Sequence, residues 1–437
     1  MGDHPGGSGW RPFVTLRARR NGRPGIRLRP TRRPKQNDPR DPLSRALRRE
    51  IGFLTGTRLV VNTNQRFVFP FLPAIARGLG ISLEQAGLLL SARSLAFVAT
   101  PIVVATVGRG ERRVRLVVFG LSLMAAGTFI TAISGVAAGA LVGFVLVGIG
   151  KPSFDSAAQA YVADRTPFER RARFLSILEL TWAGGMLIGA PLAGWLIAGF
   201  GWRAPFWVVS ALFVVAAVAA PRVMAADGEH GSVRGVPLAP DRAMVALLVN
   251  GLLFSFSAET TFVVFGAWLE DGFALSLAAL GLASTAIAVA ELAGEGSVLL
   301  FADRIGPRRM VVGGLAASVA GYAGLAATSG SFVGGLMALA FTLICFEITI
   351  VATIPLATEA APKARAKLLA WLMVAIGIGR SLGDAVGPAL YSRHGVPANA
   401  IASAIAALLA LGVLLAFVPE TARDRAARVT AGRDAPR

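Results

Sequence analysis

The sequence predicts an all-α membrane protein: twelve transmembrane helices in two pseudo-symmetric six-helix bundles around a central cavity. Three observations predict it. Bilayer-length apolar stretches follow one another after residue 55, basic residues fall on alternate connections, and loops of the two halves superpose at one offset.

The apolar stretches come first. Of 437 residues, 54% are hydrophobic and 16% charged, with a mean hydropathy of +0.62. Soluble domains carry about 25% charged residues, so the composition points away from a cytosolic enzyme. One cysteine, Cys345, excludes a disulfide scaffold. A crossing helix needs about 20 mostly apolar residues. Such stretches lie at 57–77, 84–107, 114–134, 136–161, 173–199, 204–221, 243–267, 275–301, 310–329, 331–355, 366–390 and 397–418. They divide the chain into a bundle over 56–221, a linker over 222–242, a bundle over 243–418 and a tail over 419–437.

The basic residues then orient the spans. Of 44 Lys and Arg, 37 fall in the head (1–58), on the connections from even- to odd-numbered spans or in the tail. Only Arg77, Arg203 and Arg393 fall on the opposite side. The positive-inside rule puts both termini in the cytoplasm of a multi-pass cell-membrane protein. The net charge of +19 is thereby a topology signal and calls for no nucleic-acid partner. Residues 1–55, rich in Arg, Pro and Gly, read as a disordered basic arm, and not as a cleaved signal peptide.

The third observation is the repeat. An offset of 195 pairs Arg304 with Arg109 and Arg308 with Arg113. The same offset pairs Asp164 with Glu359, Pro167 with Pro362, and Arg170 with Arg365. One gap-free offset through two different loops implies a duplicated six-helix unit with a cavity between its copies.

Ionisable groups inside spans cost about 2.5–3.5 kcal/mol each on insertion scales, so each asks for a partner or a cavity. The sequence holds eleven: Arg66, Arg93, Lys151, Arg380, Asp155, Glu179, Glu259, Glu291, Glu295, Glu347 and Asp384. Lys151–Asp155, Glu291–Glu295 and Arg380–Asp384 are spaced to share a helix face. Gln159 extends the first pair into a polar stripe. Arg66, Lys151, Glu259 and Glu347 fall within ~6 Å of mid-membrane by helical rise. Their spans are the first, fourth, seventh and tenth.

No histidine lies within a span, and HExxH, phosphate-loop and nucleophile-elbow patterns are absent, so neither a metal, a cofactor nor an enzyme is expected. Without a phosphate loop, any movement of a solute across the membrane would draw on an ion or substrate gradient.

In its twelve-span plan the chain resembles the major facilitator superfamily over about 57–418. ADRIGPRR at 302–309, with Asp303, Arg304, Gly306, Arg308 and Arg309, looks like that family's basic loop between helices 8 and 9. Asp164-Arg165-Thr166-Pro167, followed by Arg170 and Arg171, looks like a second signature. GGMLIGAPLAGW at 184–195, with Gly185, Gly189, Pro191 and Gly194, resembles the glycine-proline motif of its antiporter branch; small residues there also let helices approach closely. In two places the chain departs. Gly108 and Glu111 stand where the family places aspartate and glycine, and Phe144 stands where many proton-driven exporters carry arginine.

The resemblance implies that spans 1, 4, 7 and 10 line the cavity. They supply Asn62, Asn64, Gln65 and Arg66; Lys151, Asp155 and Gln159; Glu259; and Glu347, as a substrate or proton site. It places Arg93, Glu179, Glu291, Glu295, Arg380 and Asp384 at interfaces or gates between the halves. The expected function is secondary transport of a small organic substrate by a monomer, with protons as coupling ion and efflux favoured. A carrier of one metabolite (a sugar or organic acid, the latter bound by Arg66 and Lys151), a carrier of a cation, and a non-transporting membrane sensor remain alternatives.

Overall fold

The computed structural model describes residues 45–107, 113–166, 168–225, 241–362 and 364–420. The expected arm up to residue 44, the first-half basic loop with Gly108, Arg109 and Glu111, Pro167, most of the linker and the tail after 420 lie outside these. Where the chain is described it is helical. The first half runs α1 (Arg45–Arg66), α2 (Leu72–Leu79), α3 (Leu83–Val107), α4 (Arg113–Ile133), α5 (Ala137–Arg165) and α6 (Phe168–Glu179). It continues through α7 (Thr181–Gly184), a π-helical turn at Gly185–Gly189, α8 (Ala190–Phe200) and α9 (Ala204–Val223). The second half runs α10 (Arg242–Phe262), α11 (Phe265–Phe273), α12 (Leu277–Ile305), α13 (Pro307–Thr328), α14 (Phe332–Ala360) and α15 (Arg365–Phe417).

Among the described residues nine helical segments are long and apolar enough to cross a membrane, or ten when the bent pair α2 and α3 counts as one. The count rises to twelve for two physical reasons. The long α15 is two helices, because Gly395 sits between them at φ 71° and ψ −177°, an arrangement suited to glycine. And α1 is too charged to register by hydropathy, with Arg45, Arg48, Arg49, Glu50, Arg58 and Arg66 along its length.

The first span differs from its expected limits of 57–77. Its helix begins at Arg45, so residues 45–55 of the stretch read as an arm are helical. Glu50 and Arg58 are both buried, each satisfied by a neighbouring helix, which lets a charged sequence continue as a packed helix. The helix breaks after Arg66, and Phe67, Phe69 and Phe71 turn into a core at the junction with α2.

The core divides in a way that positions the cavity. One cluster joins both halves at the end of the bundle that carries Arg77, with Phe67 to Leu79, Phe262 to Leu269 and Leu280 among its members. The other two clusters belong to one half each and lie toward the end that carries Arg45. Close backbone approaches seal the Arg77 end: Gly266 lies against the Pro70 carbonyl, and a Cβ on Gly281 would sit 2.9 Å from the Pro191 Cα. Phe69 and Phe262 pack as tilted rings with centres 4.8 Å apart, and Arg77 meets Glu270 at 2.6 Å across the halves.

Candidate functional site

Between the halves lies a cavity of about 300 Å³. The first half contributes Gln65, Arg66, Phe69, Arg93, Ser94, Phe97, Gly148, Lys151, Asp155, Glu179 and Trp182. The second half contributes Ala258, Glu259, Phe262, Glu291, Leu343, Phe346, Glu347, Ile350, Met373, Ile376, Gly377 and Arg380. Nine of these are ionisable, and the local helix geometry explains how each is held.

Arg66 ends α1 just before the chain breaks, which aims its side chain into the bundle. Its two terminal nitrogens donate to both oxygens of Glu291 at 2.6 and 2.5 Å. This bidentate pair crosses from one half to the other and is almost fully buried on both sides. Parallel N–H···O bonds of this kind are the strongest form of an ion pair. The Arg66 guanidinium also lies 4.5 Å from the Trp182 ring centre.

Lys151 and Asp155 pair along one face of α5 at 2.5 Å, the partnership their spacing predicts. Asp155 accepts a second bond from Arg58 Nε at 3.2 Å. The same Arg58 grips Glu179 with both terminal nitrogens at 3.0 and 3.1 Å, and Gln159 Nε2 also donates to Glu179. Arg58 thus joins α1, α5 and α6. It is absent from the sequence-derived candidates because it counts there among the basic residues of the head (1–58). A signal existed: Arg58, Asn62 and Arg66 recur at four-residue intervals, the spacing of one helix face.

In the second half Arg380 Nε lies 3.2 Å from Glu259 Oε2. Asp384, one turn along, is fully buried and accepts from Ser94 Oγ at 2.7 Å, so Arg380 and Asp384 do not pair with each other. Arg93 is buried, donates to the Gln65 carbonyl at 3.2 Å and lies over the Phe69 ring at 5.4 Å. Trp182 is the second residue missing from the sequence-derived candidates. Arg66, Lys151 and Arg380, from three different helices, all approach its ring within 5.7 Å. Its position three residues after Glu179 places it on that carboxylate's face of span 5.

Glu347 differs from the other carboxylates of the lining. It is 5% exposed and makes no hydrogen bond or ion pair among the described residues. Its Cβ sits against Gly294, between Glu291 and Glu295 on α12. Glu295 is half-buried, just outside the lining.

Other expected site residues lie elsewhere. Asn62 donates to Thr181 Oγ1 at 2.9 Å, fastening α1 to α7, and Asn64 faces a small gap beside Arg93 and Phe144. Gln159 reaches the cavity only through Glu179. In the basic loop, Gly306 adopts φ 88° between α12 and α13, Arg308 Nε donates to the Val418 carbonyl at 2.7 Å, Asp303 and Arg304 are exposed, and Arg309 lies in the first turn of α13. The glycine-proline stretch packs two ways: Gly185 and Gly189 against Asn62 and Thr63 of α1, Pro191 and Gly194 against Gly281 and Leu277 of α12. Among the described residues no group of three or more His, Cys, Asp or Glu could hold a metal ion.

Comparison with known proteins agrees with this architecture. The Major Facilitator Superfamily model matches residues 54–243 and 247–435, one match per half. The uncharacterized transporter YgaY of Escherichia coli O157:H7 is 32% identical over 184 residues, 41% of this chain and 45% of that protein. Multidrug resistance protein 2 of Bacillus subtilis (strain 168) is 28% identical over 152 residues, 35% of this chain and 38% of that protein. The chain thus matches less than half the length of these relatives. A D-xylose-proton symporter structure superposes with a TM-score of 0.71 at 14% identity, covering 86% of this chain and 99% of that one. A bacterial homolog of the human lysosomal transporter Spinster, inward-facing and unoccupied, superposes with a TM-score of 0.66 at 16% identity, covering 90% and 99%.

Proposed function

The chain belongs to the Major Facilitator Superfamily, and from that premise we propose that it is a proton-coupled secondary transporter that exports a small organic substrate by alternating access. The observation that carries this reading is Glu347: a buried carboxylate, without a partner among the described residues, in the wall of a cavity shared by both halves. A carboxyl group in such a setting exchanges a proton as its surroundings change from dry to wet. Glu259, whose Arg380 partner also lies on the cavity wall, is the second proton-binding candidate.

The geometry also supports an alternating-access cycle. The Arg77 end is packed and the Arg45 end carries separate cores, so the cavity communicates with the Arg45 side. With the termini in the cytoplasm of the cell membrane, as the distribution of basic residues favours, this is an inward-facing state. Passage to the outward-facing state parts Gly266 from Pro70 and Arg77 from Glu270. Arg93, Glu179, Glu291, Glu295, Arg380 and Asp384 then act as the charged contacts that rearrange, and the protein works as a monomer. The likeness to a multidrug resistance protein supports the export direction.

The test is a reconstitution. Proteoliposomes holding the full chain are given a panel of cationic, neutral and anionic small molecules, with and without an imposed pH gradient. The reading expects at least one compound to accumulate only with the gradient, and a protonophore to abolish that accumulation. Accumulation insensitive to the gradient and to the protonophore contradicts it.

A further inference from the structure

The charges on the cavity wall are unequal in how they are satisfied. Arg66 is held by Glu291, Lys151 by Asp155, and Arg380 by Glu259. Arg93 is held by the Gln65 carbonyl, with Asp384 as its compensating carboxylate. Asp155 and Glu179 share Arg58. Each of these cations already has a partner, and among the described residues Glu347 is the carboxylate of the wall that has none. An anionic ligand at Arg66, Lys151 or Arg380 has to break a formed pair and leave a buried carboxylate without its partner, which costs several kcal/mol. A cationic ligand breaks nothing and supplies the missing partner.

The neighbourhood of Glu347 sharpens the chemistry. Glu291 and Glu295 face it from α12, with Arg66 as the nearby cation of that cluster and Arg380 the next contributor from α15. Three carboxylates against one close cation make a region of negative potential. Along α14, Leu343, Glu347 and Ile350 follow at the spacing of one helix face, so the carboxylate is set in an apolar stripe. Phe346, Phe262, Phe69 and Phe97 add aromatic surface, which attracts cations through its electron-rich faces. A bare metal ion is not the complement: no metal-holding group exists among the described residues, and the wall around Glu347 is mainly hydrocarbon.

We propose that the cavity takes a monovalent organic cation, with its charge seated at Glu347 and its apolar body along Leu343, Ile350 and the aromatic wall. This deepens the transport reading, and rests on it for what the bound cation does next. The organic-acid alternative loses its basis, because Arg66 and Lys151 are each engaged by a carboxylate.

The test uses two ions of one shape and opposite sign, tetraphenylphosphonium and tetraphenylborate, titrated into the purified full chain in neutral detergent. The phosphonium is expected to bind at least tenfold tighter than the borate. Glu347→Gln is expected to lose at least tenfold in phosphonium affinity, Glu347→Asp to recover part of it, and Glu295→Gln to lose affinity by a smaller factor than Glu347→Gln. Borate binding as tight as phosphonium binding overturns the proposal, and that comparison needs only the wild-type chain should Glu347→Gln fail to fold. A folded Glu347→Gln variant with unchanged phosphonium affinity also overturns it. Vesicle transport separates the two readings. Phosphonium binding that depends on Glu347 without gradient-driven transport of any compound in the panel contradicts transport alone. Gradient-driven movement of neutral or anionic compounds without phosphonium binding contradicts the cation site alone.

Discussion

Arg66 and Glu291 meet fork to fork at 2.5 and 2.6 Å, although they stand 225 residues apart and belong to different halves of the duplicated chain. The pair is buried from water on both sides, so it bolts the halves together. Removing one partner of a buried pair typically costs about 3–5 kcal/mol, because the other is left unpaired, while replacing both by apolar groups is often neutral. Arg66→Gln and Glu291→Gln should therefore each lower the thermal unfolding midpoint in detergent, and Arg66→Met/Glu291→Leu should recover most of the loss. Equal losses that add in the double variant would show that the two side chains do not act together.

Arg58 should matter less, and for a geometric reason. It serves Asp155 and Glu179, but Glu179 is 53% exposed and keeps Gln159, and Asp155 keeps Lys151. Arg58→Gln is expected to cost about 1–3 kcal/mol, below the Arg66 value, since partly solvated pairs contribute less. Arg58→Lys should restore only part, because an ammonium cannot reproduce a planar fork gripping two carboxylates. Unfolding midpoints of the two variants, compared with Arg66→Gln, check the order.

Trp182 gives one ring to three cations, so its loss should be felt beyond its own contacts. A cation over an aromatic face contributes about 0.5–2 kcal/mol. Trp182→Leu keeps bulk but removes the quadrupole, and should lower gradient-driven transport in vesicles several-fold; Trp182→Phe should retain more activity than Trp182→Leu. Equal activities of the two variants would remove the aromatic face from the account.

The seal at the Arg77 end depends on side chains that are missing. A Cβ on Gly281 would press on Pro191 and the Ala190 carbonyl, so Gly281→Leu should hold that end apart. In a Cys345→Ala background, a cysteine replacing Phe69 should react faster with a membrane-impermeant maleimide added from the Arg77 side once Gly281→Leu is present. Unchanged labelling would mean that the contact does not seal the cavity.

How much of this was readable beforehand depends on the distance each feature spans. Lys151–Asp155 was legible, since a four-residue interval fixes a helix face. The burial of Arg66, Glu259 and Glu347 followed from charges embedded in apolar spans. The partners were not legible. Arg66 was grouped with the substrate cavity and Glu291 with the gates, and only the packing of α1 against α12 brings them together. Arg58 was hidden by Arg45, Arg48 and Arg49, whose charge made the start of α1 look like a loop. The three clustered carboxylates around Gly294 came out of the fold too, because α14 must cross α12 at that glycine to bring Glu347 against the helix that carries Glu291 and Glu295.

The central claim is that buried carboxylates in the shared cavity link proton movement to substrate movement. It is tested most directly by recording proton flux with a pH-sensitive dye inside vesicles while a transported compound is added, for wild type, Glu347→Gln and Glu259→Gln. The account predicts a substrate-driven proton signal in wild type that is lost in Glu347→Gln and reduced in Glu259→Gln. Wild-type proton signals in both variants would contradict it.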